Sequence, residues 1–214
     1  MPDLAQAKKT MLKEHLKARG IDDKRVLAAF DAVPREEFVP ERFCDLAYAD
    51  RPLAIGNGQT ISQPYTVAFM TQLLDPQPAD IVLEVGTGSG YQAAILSQLV
   101  EKVYTIERFQ KLADGARKVL KRLEYGNIEV RVGDGSEGWP EKAPFDGIIV
   151  TAAAPEIPQP LIEQLKVGGR LVIPVGSGLF QDMLTITKTE TGLEKEIRPG
   201  FRFVPLVGKH GFKG

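Results

Sequence analysis

Between residues 81 and 175 short apolar runs alternate with helical segments, and this alternation limits the fold more than any other feature. Ile81–Val85, Val103–Ile106, Ile128–Val132, Phe145–Val150 and Gly169–Val175 read as strands. Helices are expected between them at Tyr91–Val100, Phe109–Leu123 and Pro160–Leu165. Strands that are apolar on both faces and separated by helices belong to a parallel sheet covered on each side. The pattern breaks after Val175. Met183–Thr187 and Arg202–Val207 have no helix between them, so they are expected to form an antiparallel edge hairpin turning near Thr191-Gly192.

The segments outside this core carry a different signal. Residues 4–19 have Leu4, Met11, Leu12 and Leu16 spaced for one face of a helix. Lys8, Lys9, Lys13, Lys17 and Arg19, interleaved with Glu14, read as its solvated face. Gly20 ends that helix, and Asp22 or Asp23 can cap a second one bearing Val26, Leu27 and Phe30. From Val33 to Pro64 prolines and Gly56-Asn57-Gly58 make an irregular stretch whose apolar content argues for a functional, ordered segment. Val67–Leu74 is a short helix closed by Asp75-Pro76-Gln77-Pro78. With 214 residues the chain reads as one domain: N-terminal helices and a substrate-site segment (1–80), a cofactor-binding core (81–175) and C-terminal strands (176–214).

Composition excludes several classes. Lys plus Arg number 27 against 28 Asp plus Glu, so there is no basic footprint for bulk nucleic acid. No run approaches the ~18 apolar residues of a membrane span. Cys44 is the only cysteine, which precludes an internal disulfide and a cysteine zinc site and fits a reducing, cytoplasmic setting. It reads as a small buried core residue. His15 and His210, the two histidines, read as surface residues.

Glu84-Val85-Gly86-Thr87-Gly88-Ser89-Gly90 falls between the first core strand and its helix, at the carboxyl edge of the sheet. Open α/β sheets bind ligands at that edge, and glycines let backbone lie against the ligand. Glu107 ends the next strand about 20 residues after the loop, where an acid accepts hydrogen bonds from ribose hydroxyls. Asp134-Gly135 follows the third strand at the same edge. A nicotinamide dinucleotide is the rival ligand, but its fingerprint places the third glycine where this chain has Tyr91. S-adenosylmethionine, used without a metal, is the better reading.

The methyl acceptor is approached by elimination. Thr151-Ala152-Ala153-Ala154-Pro155 lacks the acid or amide and stacking ring expected for methylation of adenine or glutamine nitrogen. Cys44 lacks the prolyl-cysteine context of a cytosine C5 nucleophile, and no clear carboxylate–lysine cluster suggests metal-assisted catechol chemistry. A carboxylate acceptor fits a site poor in bases, because with a pKa of about 4 it is already ionised. Thr60-Ile61-Ser62-Gln63-Pro64 can hold it, with the Ser62 hydroxyl donating to one oxygen and leaving the other free. On spacing alone, Ser62 reads first as the cap of the helix starting near Tyr65.

Gly58–Tyr65, Leu83–Tyr91 and Arg202–Leu206 closely resemble protein-L-isoaspartate O-methyltransferases, with Gln63-Pro64-Tyr65 as in bacterial-type members. The resemblance implies a Rossmann-like methyltransferase fold and methyl esterification of the α-carboxylate of L-isoaspartyl residues in damaged proteins. The ester then closes to a succinimide, and S-adenosylhomocysteine is released. It implies Ser62 as the catalytic residue. It places Gln63, Glu84, Gly86, Thr87, Gly88, Ser89, Gly90, Glu107, Arg108, Asp134 and Gly135 at the cofactor. Ile55, Gly56, Thr60, Ile61, Phe203, Val204, Leu206 and Val207 would border the substrate peptide. A monomer acting on isoaspartyl proteins, with no nucleic-acid or membrane partner, is expected. The alternatives are a small-molecule or RNA methyltransferase on the same fold, or a cofactor-binding module without catalysis.

Overall fold

The computed structural model describes residues 3–213. The chain starts as helix α1 (Leu4–Thr10), but the single helix expected over 4–19 does not persist. Met11–Leu16 widens into a π-helical turn and Lys17–Arg19 tightens into a 3₁₀ turn. Met11 and Leu16, five positions apart, are both fully buried, and the i→i+5 repeat of a π turn stacks them on one face. Gly20, left-handed at φ 92°, ends the run. In α2 (Lys24–Ala32) the Asp23 carboxylate accepts from the Arg25 and Val26 amides, which resolves the choice of cap.

The stretch that looked irregular is ordered. It contains 3₁₀ turns at Arg35–Phe38 and Glu41–Leu46, then a hairpin of β1 (Leu53–Gly56) and β2 (Gln59–Ile61). Leu53 pairs with Ile61 and Ala54 with Thr60 across that hairpin. Phe38, Tyr48, Leu53 and Ile61 are buried in the core beneath it. Helix α3 (Pro64–Leu74) follows with proline at its first position, where no amide hydrogen is needed. Its cap is not Ser62. Gln63 occupies the N-cap position without a side-chain bond, and the remote Asp50 carboxylate accepts from the Tyr65 amide at 2.9 Å.

The core runs β3 (Ile81–Val85), α4 (Tyr91–Ser97), β4 (Lys102–Glu107), α5 (Gln110–Arg122), β5 (Ile128–Val132), β6 (Phe145–Val150), α6 (Gln159–Glu163) and β7 (Leu165–Val175). Helix α4 stops at Ser97, a turn earlier than the apolar pattern suggests, and there Asn127 donates its side-chain amide to the Ser97 and Val100 carbonyls. Two long strands complete the sheet, β8 (Gln181–Thr189) and β9 (Gly192–Phe201). The seven strands lie in the order β5-β4-β3-β6-β7-β8-β9, parallel through β7 and antiparallel thereafter. Alternate residues feed two cores: Val82, Ile149 and Val172 face the N-terminal helices, and Leu83, Ile148 and Leu171 face the other side.

The hairpin is confirmed, but its second strand is Gly192–Phe201 and not Arg202–Val207. Glu194, Lys195, Glu196 and Arg198 mask the strand in sequence, yet a charged, Pro199-bearing edge strand resists pairing with other chains. Arg202–Val207 crosses the carboxyl edge as extended chain. The Ala153 amide donates to the Val204 carbonyl at 2.8 Å, and the Leu206 amide donates to the Ala153 carbonyl at 2.7 Å.

Because Asp50 supplies the cap of α3, Asp50→Ala should lower the unfolding free energy by about 1–2 kcal/mol. Urea denaturation checks this, and an unchanged midpoint would mean that water replaces the cap at no cost.

Candidate functional site

The sheet reverses its order between β3 and β6, and the crevice left there is where the glycine loop lies. The Gly86 and Thr87 amides donate to the Ile106 carbonyl at 2.8 and 3.2 Å, fastening the loop to the end of β4. Thr151, just past β6, donates its hydroxyl to the Gly86 carbonyl at 2.7 Å. A β-carbon on Gly86, whose φ is 101°, would collide with that hydroxyl, so glycine is required there. On the far side of the loop, Gly90 rests against Ala116 and Leu120 of α5.

Three acids stand at this edge with different duties. Glu84 is fully buried; Thr105 donates to its Oε2 at 2.6 Å, while Oε1 has no partner. Burial pushes its carboxyl up to about 8, opposed by the Thr105 hydrogen bond and reinforced by the charge of Glu107. The Glu107 carboxylate accepts from the Gly88 amide at 2.8 Å and from the Phe109 amide at 2.9 Å. Asp134 caps a 3₁₀ turn, accepting from the Ser136 amide and hydroxyl, and its other oxygen accepts from the Lys209 amide at 2.7 Å. Burial works against its charge, but these bonds hold the carboxyl below the usual range. Asp134 therefore ties down the C-terminal segment, and its neighbour Gly135 borders the hollow.

Two spaces that share Thr60, Gly86, Gly88 and Thr151 in their walls open on the loop. A narrow hollow of about 40 Å³ lies between Glu84, Thr87, Gly88, Ser89, Thr60 and Ser62. A second, of about 100 Å³, is bordered by Glu107, Arg108, Phe109, Gly135, Leu206 and Val207. Beyond Ser62 a cleft of about 620 Å³ runs outward between Gln63, Tyr65, Phe201, Arg202, Phe203 and Val204. Thr60 and Thr151 border all three spaces, and Ser62 borders the narrow hollow and the cleft. Gln63, expected at the cofactor, is among the residues lining the cleft. Ile55 leans on the loop: its Cδ1 lies 3.4 Å from where a β-carbon of Gly88 would be. Ile61 is buried behind Ser62, and exposed Gly56 turns the small hairpin.

Sequence reading missed two residues here. Thr151 was invisible because a lone threonine in an alanine run carries no motif. Arg19, the last residue of the 3₁₀ turn, is exposed as expected of a solvated face, but the face it lies on is the rim of the cleft. Its guanidinium lies 3.6 Å from the Tyr65 ring centroid, pairs with Asp50 at 2.5 Å, and lines the cleft. Tyr65, Phe69 and Phe201 stack behind it with centroids 5.7 and 5.6 Å apart. Cys44 is half-buried with its thiol 3.8 Å from the Glu36 carbonyl, and His15 and His210 lie outside the hollows and the cleft. Among the described residues no helix is long and apolar enough to cross a membrane.

S-adenosylmethionine suits these residues. The orphaned Glu84 oxygen can accept from a cationic amino group, and Glu107 at the end of β4 from ribose hydroxyls. A glycine loop at the switch point, flanked by those acids and opening into a side cleft, defines a Rossmann-like methyltransferase. A family model of protein-L-isoaspartate(D-aspartate) O-methyltransferases matches residues 6–211. A protein-L-isoaspartate O-methyltransferase 2 from Nitrosococcus oceani is 61% identical over 190 residues, 88% of this chain and 86% of the relative. A protein-L-isoaspartate O-methyltransferase 1 from Syntrophobacter fumaroxidans is 51% identical over the whole of both chains, 214 residues. The solved structure of a Plasmodium falciparum protein-L-isoaspartate O-methyltransferase, in complex with S-adenosyl-L-homocysteine, is similar with a TM-score of 0.82. It is 29% identical, over 94% of this chain and 98% of that one. The chain belongs to the protein-L-isoaspartate O-methyltransferase family, enzymes that depend on S-adenosylmethionine.

The raised Glu84 carboxyl has a signed consequence for stability. Between pH about 4.5 and 8 the folded, ligand-free protein keeps a proton that the unfolded chain releases, so stability falls as pH rises. Glu84→Gln should remove that slope, gaining on the parent toward the alkaline end by up to about 1.4 kcal/mol per pH unit. Urea unfolding of both proteins at the two ends of the window checks it; parallel pH profiles would contradict the buried, protonated state.

Proposed function

We propose that this chain carries out its family's reaction, methyl transfer to the free α-carboxylate of L-isoaspartyl residues in damaged proteins, with Ser62 holding that carboxylate. The observation that carries the assignment is the position of Ser62. It borders both the hollow at the glycine loop and the open cleft, and its hydroxyl makes no hydrogen bond within the described residues. With Asp50 capping α3, the hydroxyl is free to donate to a ligand.

S-adenosylmethionine supplies an electrophilic methyl group on a sulfonium. Gly86, Thr87, Gly88, Ser89 and Gly90 present backbone to its methionine portion, and Glu84 accepts from its amino group. Glu107 takes the ribose, and Arg108 and Gly135 enclose the base together with Leu206 and Val207, which were expected at the peptide but line the same hollow. Ser62 donates to one carboxylate oxygen and leaves the other to attack. No general base is required because the acceptor is already ionised at neutral pH. The chain's contribution is alignment, and alignment alone lowers barriers substantially.

Damaged segments lie extended in the cleft between Tyr65 and Phe201–Val204, with Thr60 and Ser62 among its lining residues. Backbone pairing along this wall is restricted, since Val204 and Leu206 already exchange hydrogen bonds with Ala153. Side-chain contact with Arg19, Tyr65 and Phe203 therefore carries more of the binding. In this proposal a monomer works on one protein substrate at a time; the single thiol fits a cytoplasmic setting.

Labelled S-adenosylmethionine with an isoaspartyl peptide beside its normal aspartyl twin tests this. Label should pass to the isoaspartyl peptide only; equal labelling of both, or of neither, refutes the function. Ser62→Ala should lower kcat while leaving affinity for S-adenosylhomocysteine unchanged, and normal turnover would remove the serine from the mechanism. Glu107→Ala should weaken cofactor binding by about 1.5–3 kcal/mol for lost charge-assisted hydrogen bonds. Calorimetry showing unaltered affinity would refute the ribose assignment.

A further inference from the structure

We propose that Arg35 is a positioning residue for Ser62: a buried cation that clamps the substrate-binding segment to the helix leaving the glycine loop. The proposal rests on the reading of Ser62 as the carboxylate-binding residue. Arg35 begins the 3₁₀ turn Arg35–Phe38 and is fully buried, yet no carboxylate pairs with it. Its Nη2 donates to the Ser62 carbonyl at 2.7 Å, and its Nε donates to the Ala47 carbonyl at 2.7 Å. Its guanidinium carbon stands 4.7 Å from the centroid of the Tyr91 ring, and Nη1 has no partner. Tyr91 is the first residue of α4, directly after Gly90. One side chain thus touches the segment that presents the hydroxyl, the loop bearing Ala47, and the helix that follows the glycines.

The arrangement is costly if its purpose is stability. An unpaired buried charge loses its hydration, and carbonyl dipoles with one aromatic face restore only part of it. What the clamp fixes is the Ser62–Gln63 peptide. Upstream, Ile61 is held by its pairing with Leu53; downstream, Pro64 and the Asp50 cap hold the start of α3. The Ser62 carbonyl between these anchors is held by Arg35. A carbonyl free to swing would rotate ψ of Ser62 and move the backbone that aims its hydroxyl. Displacement of a reacting group by about 1 Å can cost roughly a hundredfold in rate. Lysine cannot substitute, because a point ammonium has no planar fork to reach two carbonyls while lying over a ring.

The test is a double-mutant cycle in the full-length protein, using Arg35→Lys, Arg35→Met, Ser62→Ala and the combinations, assayed on an isoaspartyl peptide. Each Arg35 variant should lose roughly ten- to hundredfold in kcat, with S-adenosylhomocysteine affinity held within about twofold. In the Ser62→Ala background the same substitutions should cost little further, because no hydroxyl remains to be aimed. Equal losses in both backgrounds, or a parallel loss of S-adenosylhomocysteine affinity, would overturn the proposal. So would failure of both Arg35 variants to fold, since the side chain would then be holding the fold and not the serine. An inert parent protein would instead defeat the functional reading, and an Ser62→Ala variant with normal turnover would defeat the role of the serine.

Discussion

The reversal of strand order between β3 and β6 is the constraint on which the rest of the site depends. It leaves two strand ends without a crossing connection, and the chain fills that gap with glycine-loop backbone on one side and Thr151 on the other. Their hydrogen bond makes Gly86 irreplaceable and fixes the height at which the loop stands above the sheet. Glu84 below and Glu107 beside the loop then face one small region with different surroundings, one buried with its carboxyl pushed up and one oxygen unpartnered, the other accepting from the Gly88 and Phe109 amides. A ligand carrying both an ammonium and ribose hydroxyls answers both.

The N-terminal third builds the other half of the site around that platform. The short hairpin, the 3₁₀ turns and α3 are held by remote contacts: Asp50 to the Tyr65 amide, Arg35 to the Ser62 carbonyl, Arg19 on the Tyr65 ring. Each joins residues separated by more than a helical turn in sequence. The outcome is a serine whose backbone is restrained and whose hydroxyl is unengaged, facing a cleft on one side and the loop on the other. Such restraint suits a reaction in which the acceptor needs alignment and no deprotonation.

What sequence could reveal follows from which forces are local. The parallel core was legible because its strands are apolar on both faces and its loop is punctuated by glycines, and Ser62 was singled out by the lack of a general base and by the resemblance around it. The strand Gly192–Phe201 was not, because an edge strand protected by charges lacks the apolar alternation that marks a strand. Arg19 is solvent-exposed as its helical spacing suggests, but its contacts with Tyr65 and Asp50 at the cleft join residues too far apart in sequence for periodicity to show. Asp50 and Arg35 leave no local trace, since their partners lie far along the chain. Long-range hydrogen bonds of this kind place the functional groups, and sequence periodicity cannot register them.

The central claim is that Ser62 joins the cofactor hollow to the peptide cleft and holds the acceptor carboxylate between them. A crystal structure of the protein with S-adenosylhomocysteine and an isoaspartyl peptide tests it most directly. The account predicts the Ser62 hydroxyl within hydrogen-bond distance of one oxygen of the isoaspartyl α-carboxylate, with the other oxygen facing the cofactor sulfur. A peptide seated in the cleft with its carboxylate held by another group, or turned away from the sulfur, would contradict it.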